Sequence, residues 1–414
     1  MKKLLILALL PFLAPPLAAQ EFSTAAMRPI TMGEAYKLAL AKSESLAQQA
    51  EGIKQLETAE SLISASFRPS FDLNASQARQ QNAASFTKGY FTGSYALFSG
   101  MKDYISAKAA SARTGAARLD LERARQQLYL NVAQDYLNLF LGQEEVFIRR
   151  EQMGVTSRRI AELETRANIG RSRKSEVVAA KTQLAQDKAN YLAAAAAERL
   201  AQQALMFMTG LDTDLAPEGF SLSRQAALAE YLNLALLRPD LSARRRSSES
   251  YNYLADVQDH NLWPTVDVSA NYYVVRRPMP DPVNRWDGAI ALNLPLYTGG
   301  AARARKDSAY AARRAAALEL QLAERQALTE VRSAFEERKY SVLQAASLEE
   351  ALALALDNAR YQQEDYKMGL VTNLDVLSAL NSVLQTRLAL SQAKVQENWT
   401  LLKLETAAGL EAKQ

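Results

Sequence analysis

A single histidine, His260, and no cysteine leave this chain few ways to do covalent chemistry. Composition excludes thiol nucleophiles, disulfides and cysteine-ligated metals. His260 has no second histidine to share a metal with, and its place just before Trp263-Pro264 reads as a capping or surface position. Carboxylates alone could hydrolyse a glycoside, yet nothing suggests an aromatic-lined cleft around an acidic pair. Two acids stand out by position. Glu176 follows Gly170 and Asp375 follows Gly369, each where a helix would open and its dipole would favour a negative charge.

Those glycines belong to a longer self-similarity, the first thing to look for in a long chain. Leu97-Phe98-Ser99-Gly100 returns as Leu296-Tyr297-Thr298-Gly299, and Gly210-Leu211 as Gly409-Leu410, all at a spacing of 199 residues. Two segments therefore match without net insertion or deletion. Loops usually tolerate length changes. A length held this closely points to two long helical hairpins whose tips lie at one level.

Bulk properties narrow the class. With 48% hydrophobic and 23% charged residues, the mature chain is neither disordered nor a bundle of membrane helices. The net charge of +4 is too diffuse to argue for nucleic acid. Residues 1–19 read as a secretory signal: Lys2 and Lys3, an apolar core from Leu4 to Leu13, and small residues at Ala18-Ala19. Beyond it no apolar run is long enough to span a membrane as a helix. An exported chain of this kind crosses a membrane only as strands in a closed barrel.

The elements follow from the changing period. The first repeat, 30–210, opens at Thr31 with Glu34 three residues on, a capping-box pattern, and runs as one helix to Pro69. Strands at about 69–80 and 87–98 alternate apolar with small or polar residues. A helical hairpin covers about 101–208, and residues 211–226 form an irregular connector. The second repeat, 227–410, repeats the order, with strands at about 264–275 and 286–297 and a hairpin at about 301–408. The apolar strand faces carry Phe71, Leu73, Phe91, Val266, Val268, Ile290, Leu292 and Leu294. They suit a membrane barrel or a soluble hairpin with one buried face, and the strands alone leave both open. Four strands cannot close a membrane barrel. If these strands lie in lipid, the chain must oligomerise, and three copies would give twelve strands. Phe67, Trp263, Trp286 and Tyr297 lie near strand ends, as in an interfacial belt or a packed joint.

Arg238-Pro239-Asp240-Leu241, Leu294-Pro295-Leu296-Tyr297-Thr298-Gly299-Gly300 and Asp375-Val376-Leu377-Ser378-Ala379, in this order, resemble the TolC-type outer-membrane efflux protein family. The resemblance covers essentially the whole mature chain. It implies an α+β, mostly α fold: a trimeric 12-stranded β-barrel in the outer membrane of a Gram-negative bacterium, continuing into an α-helical barrel across the periplasm. It implies a passive exit duct for small molecules (drugs, metal ions) or polypeptides, with no enzymatic activity and no cofactor or metal. The partners implied are two more copies of the chain, outer-membrane lipid, a periplasmic adaptor and an inner-membrane transporter. The competing expectation is an exported structural coiled-coil protein with soluble β-hairpins. On the family pattern Asp375 narrows the periplasmic gate, with Glu176 as its counterpart in the first repeat. Ser378 stands where some members carry a second acid. Gly170, Arg171, Gly369, Leu370 and Thr372 fall at the turns where the family receives its adaptor. Arg166, Arg171, Arg173 and Lys174 make the first turn basic, as a partner site or a solvated face.

Overall fold

A computed structural model describes residues 27–79, 81, 85–219, 226–277 and 284–410. The expected signal segment lies outside the described residues. Thr31 caps α1 (Met32–Lys42), its hydroxyl accepting the Glu34 N–H at 3.2 Å. The Glu34 carboxylate pairs with Arg28 instead of returning to the cap. The single helix expected here is in fact two. Ser43 is extended (φ −68, ψ 103) and caps α2 (Glu44–Ala65) through the Leu46 N–H. A hydroxyl that can bond the backbone locally offers a helix an exit.

Strands β2 (Ser70–Ala78) and β3 (Phe86–Phe98) follow, then the hairpin α3 (Lys102–Asn168) and α4 (Lys174–Thr209). The second half holds α5 (Leu228–Ala235), α6 (Pro239–Asp259), β5 (Thr265–Arg277), β6 (Trp286–Asn293), α7 (Ala301–Met368) and α8 (Asn373–Ala407). Helices α3 and α7 have 67 and 68 residues, roughly 100 Å each at 1.5 Å per residue. Strand β6 stops earlier than expected, because Pro295 brings no N–H to the ladder. Leu294 therefore lies beyond the strand rather than within it.

The four long strands form one antiparallel sheet in the order β2-β3-β5-β6, leaving β2 and β6 as edges. Below the sheet, α3 and α7 run the length of the molecule. Helices α6 and α8 follow one another in the space between them, while α2 and α4 follow one another along the other side of α3. A short parallel pair, β1 (Arg28–Ile30) with β4 (Leu215–Pro217), ties the N-terminal arm to the connector. Tyr136 anchors it: the buried hydroxyl lies 2.9 Å from the Ile30 carbonyl and 2.8 Å from that of Glu218. Burial pushes the Tyr136 phenol up to about 12.

The Arg-Pro-Asp-Leu motif has a clear structural task. The Arg238 side chain is 4% exposed, pairs with both carboxylate oxygens of Asp240, and reaches Glu330 at 2.7 Å. It also donates to the Ala407 carbonyl at 3.1 Å, and Arg123 donates to that of Thr406 at 2.9 Å. Two guanidinium groups thus meet the negative end of α8. Gly409 turns away with φ +79, and a Cβ there would meet Arg238 Cγ at 2.8 Å. That contact explains a glycine at the close of the repeat.

Candidate functional site

The two hairpin turns lie together at the end far from the sheet. Gly170 (φ +76) and Gly369 (φ +80) take the left-handed backbone that stops α3 and α7. Between the turns opens a cavity of about 940 Å³, with Arg166, Arg171 and Arg173 on one side and Met368, Gly369 and Leu374 on the other. Leu370 is exposed beside it. Thr372 closes the second turn as the N-cap of α8.

Asp375 and Glu176 are equivalent by the repeat spacing, yet they sit differently. The Asp375 carboxylate turns back onto its own cap and accepts from Thr372 N–H at 2.8 Å and Thr372 Oγ1 at 2.6 Å. Those hydrogen bonds hold its carboxyl below the usual carboxylate range, while it stays exposed. Glu176 instead reaches the other hairpin. Its Oε2 accepts from Ser172 Oγ at 2.6 Å and from Tyr366 OH, on α7, at 3.2 Å.

Tyr366 and Arg159 were not among the residues expected from sequence. Tyr366 is 8% exposed, with the Arg159 guanidinium 4.2 Å and that of Arg166 5.0 Å from its ring centre. Arg159, also 8% exposed, donates to Asn373 Oδ1 at 3.1 Å and to Glu162 at 2.8 Å. So α3 holds both helices that flank the second turn: α7 through the ring and α8 through Asn373. The signal that could have found them is asymmetry. The repeat spacing puts Ala167 where Tyr366 stands and Asn358 where Arg159 stands.

At the other end the sheet sorts its residues by face. One face carries Asp72, Thr92, Asn271 and Asp287 in a single register row. Thr92 donates to Asn271 at 2.8 Å, and Asn271 to Asp287 at 2.8 Å. The next row on the opposite face is Leu73, Phe91, Tyr272 and Trp286. That face also carries Phe71, Val266, Val268, Ile290 and Leu292; Ile290 is 75% and Leu292 69% exposed. Phe67, Trp263 and Tyr297 are exposed at the helix end of the sheet, and Trp286 near its far end. Among the described residues no helix covers this apolar face. His260 caps the C-terminus of α6, with Nδ1 2.8 Å from the Asp256 carbonyl and its ring on Trp263. Among the described residues no acidic or histidine cluster suits a metal ion.

Residues 231–410 match the family described as outer membrane efflux protein. The outer membrane efflux protein BepC of Brucella suis biovar 1 (strain 1330) is 24% identical over 307 residues, which cover 72% of this chain and 66% of that relative's length. Among solved structures, the outer membrane protein VceC of Vibrio cholerae superposes with a TM-score of 0.81 at 22% identity, over 91% of this chain and 96% of its own. The MtrE outer membrane channel of Neisseria gonorrhoeae gives 0.80 at 20% identity, over 92% and 89%. CusC, whose structures concern transmembrane channel formation, gives 0.84 at 18%, over 92% of each chain. The second repeat thus matches the outer membrane efflux protein family, and the fold is shared with these solved structures along nearly the whole length of the chain.

Proposed function

We propose that three copies of this chain form one passive exit duct, a twelve-stranded barrel through the outer membrane continued by a ring of helices into the periplasm. One observation carries the reading: among the described residues, a four-stranded sheet has an uncovered apolar face and both edges unpaired. Lipid tolerates such a face and no such edges. Edge β6 of one copy pairs with β2 of the next. The helical layer offers the same contact, because α4 and α7 end the row and each exposes apolar side chains, Leu192, Leu200 and Phe207 on α4 and Leu343, Leu354 and Tyr361 on α7. A head-to-tail contact of this kind closes into a ring. A soluble coiled-coil protein would instead bury Ile290 and Leu292.

The duct supplies a path and no chemistry. A transporter in the inner membrane drives small molecules or polypeptides into it through a periplasmic adaptor. The adaptor docks at Gly170, Arg171, Gly369, Leu370 and Thr372, where the cavity between the turns offers cations on one side and apolar side chains on the other. The Glu176–Tyr366 bond latches the second hairpin to the first, and the carboxylates of Asp375 and Glu176, repeated by symmetry, favour cations at the gate. The test is extraction and conductance. A trimer that needs detergent and conducts in a planar bilayer is expected; a water-soluble monomer without conductance ends the reading.

A further inference from the structure

The rim of the sheet farthest from the helices holds an arrangement that a duct does not require. The strands end there at residues 76–79, 85–89, 274–277 and 284–285. The charged residues among these are Arg79, Lys88, Arg276, Arg277 and Arg285; Asp287, one step further in, faces Lys88 and Arg276 on the polar side, and Asp281 of the connecting segment lies outside the described residues. The whole chain is nearly balanced, 49 basic against 45 acidic residues, so the basic excess at these strand ends is local.

Register divides these cations by face. Phe91 pairs with Tyr272 on the apolar face, and simple alternation would carry Arg276 onto that face. A register shift at Gly89/Tyr90 intervenes, so Thr87 pairs with Arg277 and Lys88 with Arg276. The bulge re-aims the strand end: Arg277 lands on the apolar face, and Arg276 on the polar face, where it stacks on Tyr273 at 4.5 Å. Gln77 pairs with Thr87 from the other side, and Arg79 follows on the same face. Gln77, Thr87 and Arg277 thus form one row across three strands, about 10 Å from end to end at the usual strand spacing. Neither the Arg79 nor the Arg277 guanidinium has an ion pair or hydrogen bond among the described residues.

We propose that Arg79 and Arg277, with Thr87 and Gln77, hold a phosphate group of an outer-leaflet lipid. This rests on the duct reading, since only in a barrel does their face meet lipid. The aromatic row of Trp286, Tyr272 and Phe91 marks the depth where apolar chains give way to headgroups. The two arginines stand beyond it, at headgroup height. A guanidinium fork matches two phosphate oxygens at once, and it binds best where carboxylates do not compete. Lys88 and Arg276 lie at the same height but face the water-filled bore, so they take no part.

The experiment uses the purified full-length protein in neutral detergent and reads lipid retention by native mass spectrometry. The probes are diphosphoryl lipid A, the same lipid without its phosphates, and inorganic phosphate. Retention of the phosphorylated lipid alone is expected. The double variant Arg79→Gln/Arg277→Gln should lower it about thirtyfold, as for losing two cations beside an anionic surface. Lys88→Gln/Arg276→Gln should leave it unchanged. Equal retention of both lipids, equal loss in both double variants, or full displacement by millimolar inorganic phosphate overturns the assignment. Conductance of the same preparation scores the duct separately. Channels that conduct without preferring phosphorylated lipid sink the lipid site alone, and silent protein sinks the duct.

Discussion

Tyr366 on α7 donates its hydroxyl to Glu176 on α4 across 3.2 Å, the bond that joins an acid of the first hairpin to the last turn of the second. Tyr366→Phe removes that bond and keeps the ring between Arg159 and Arg166. The variant should fold normally and spend more time in high-conductance states in single-channel recordings. Wild-type gating in Tyr366→Phe would remove the latch from the account. Arg159→Met acts on the same cluster, so the two changes should couple by roughly 1 kcal/mol in a double-mutant unfolding cycle rather than add.

Asp375 both caps α8 and presents a charge. Asp375→Asn keeps an acceptor for the cap and discards the charge, so block by divalent cations should weaken while the melting temperature barely moves. In the wild type the Thr372 hydrogen bonds depress the Asp375 carboxyl. The charge, and the block with it, should therefore persist down through the ordinary carboxylate value of about 4 and fade only at lower pH. Block lost already near neutral pH would exclude this carboxylate.

Asp240 is the titrating partner of the buried Arg238. Burial opposes its ionisation, but the hydrogen bonds and charge of Arg238, with Arg123 nearby, outweigh that and hold it below its usual value. A depressed acid stabilises the fold above its unfolded value, near pH 4, and loses that contribution as pH falls through its folded one. Asp240→Asn should cost roughly 3 kcal/mol at neutral pH, as for breaking a buried ion pair. It should also flatten the acid limb of a pH–stability profile. A wild-type acid limb in that variant argues against Asp240 as its source.

Met101 takes φ +63 before α3, where the repeat spacing places Gly300 at φ +87 before α7. A side chain in left-handed backbone costs on the order of 1 kcal/mol. Met101→Gly should raise thermal stability by up to about that amount, measured by calorimetry; a lower melting temperature would show that Met101 packing outweighs the strain.

The two faces of the sheet should respond oppositely to charge. Ile290→Arg puts a cation in lipid and should cost roughly 2–4 kcal/mol if it lies near mid-bilayer, visible as loss of assembled trimer in outer-membrane fractions. Ser269→Arg, on the polar face of neighbouring β5, should assemble normally. Equal yields of the two would mean that neither face meets lipid.

Legibility followed periodicity. Gly100, Gly170, Gly210 and their partners mark helix ends because positive φ leaves a signature in residue type. Alternation from Phe71 to Leu73, or from Ile290 to Leu292, displays the strand face directly. The break at Ser43 was hidden, since a serine inside an amphipathic pattern reads equally well as helix. The Arg159–Tyr366–Glu176 cluster was hidden for another reason. Its members lie on three helices, and only packing brings them together. The β5 bulge that exchanges Arg276 for Arg277 also escapes pattern reading, because an added residue leaves the alternation intact on either side of it.

The near-equal lengths of α3 and α7 carry a last consequence. Removing one turn from either helix alone would set its tip about 5.4 Å out of level with the other, and the cavity between the turns would shear. Matched edits in both halves would leave the floor flat. The reach of such a protein can therefore drift only in synchrony, each duplicated half acting as a gauge for its twin, and an engineered shortening for a thinner cell envelope would have to be cut twice, at positions one repeat apart.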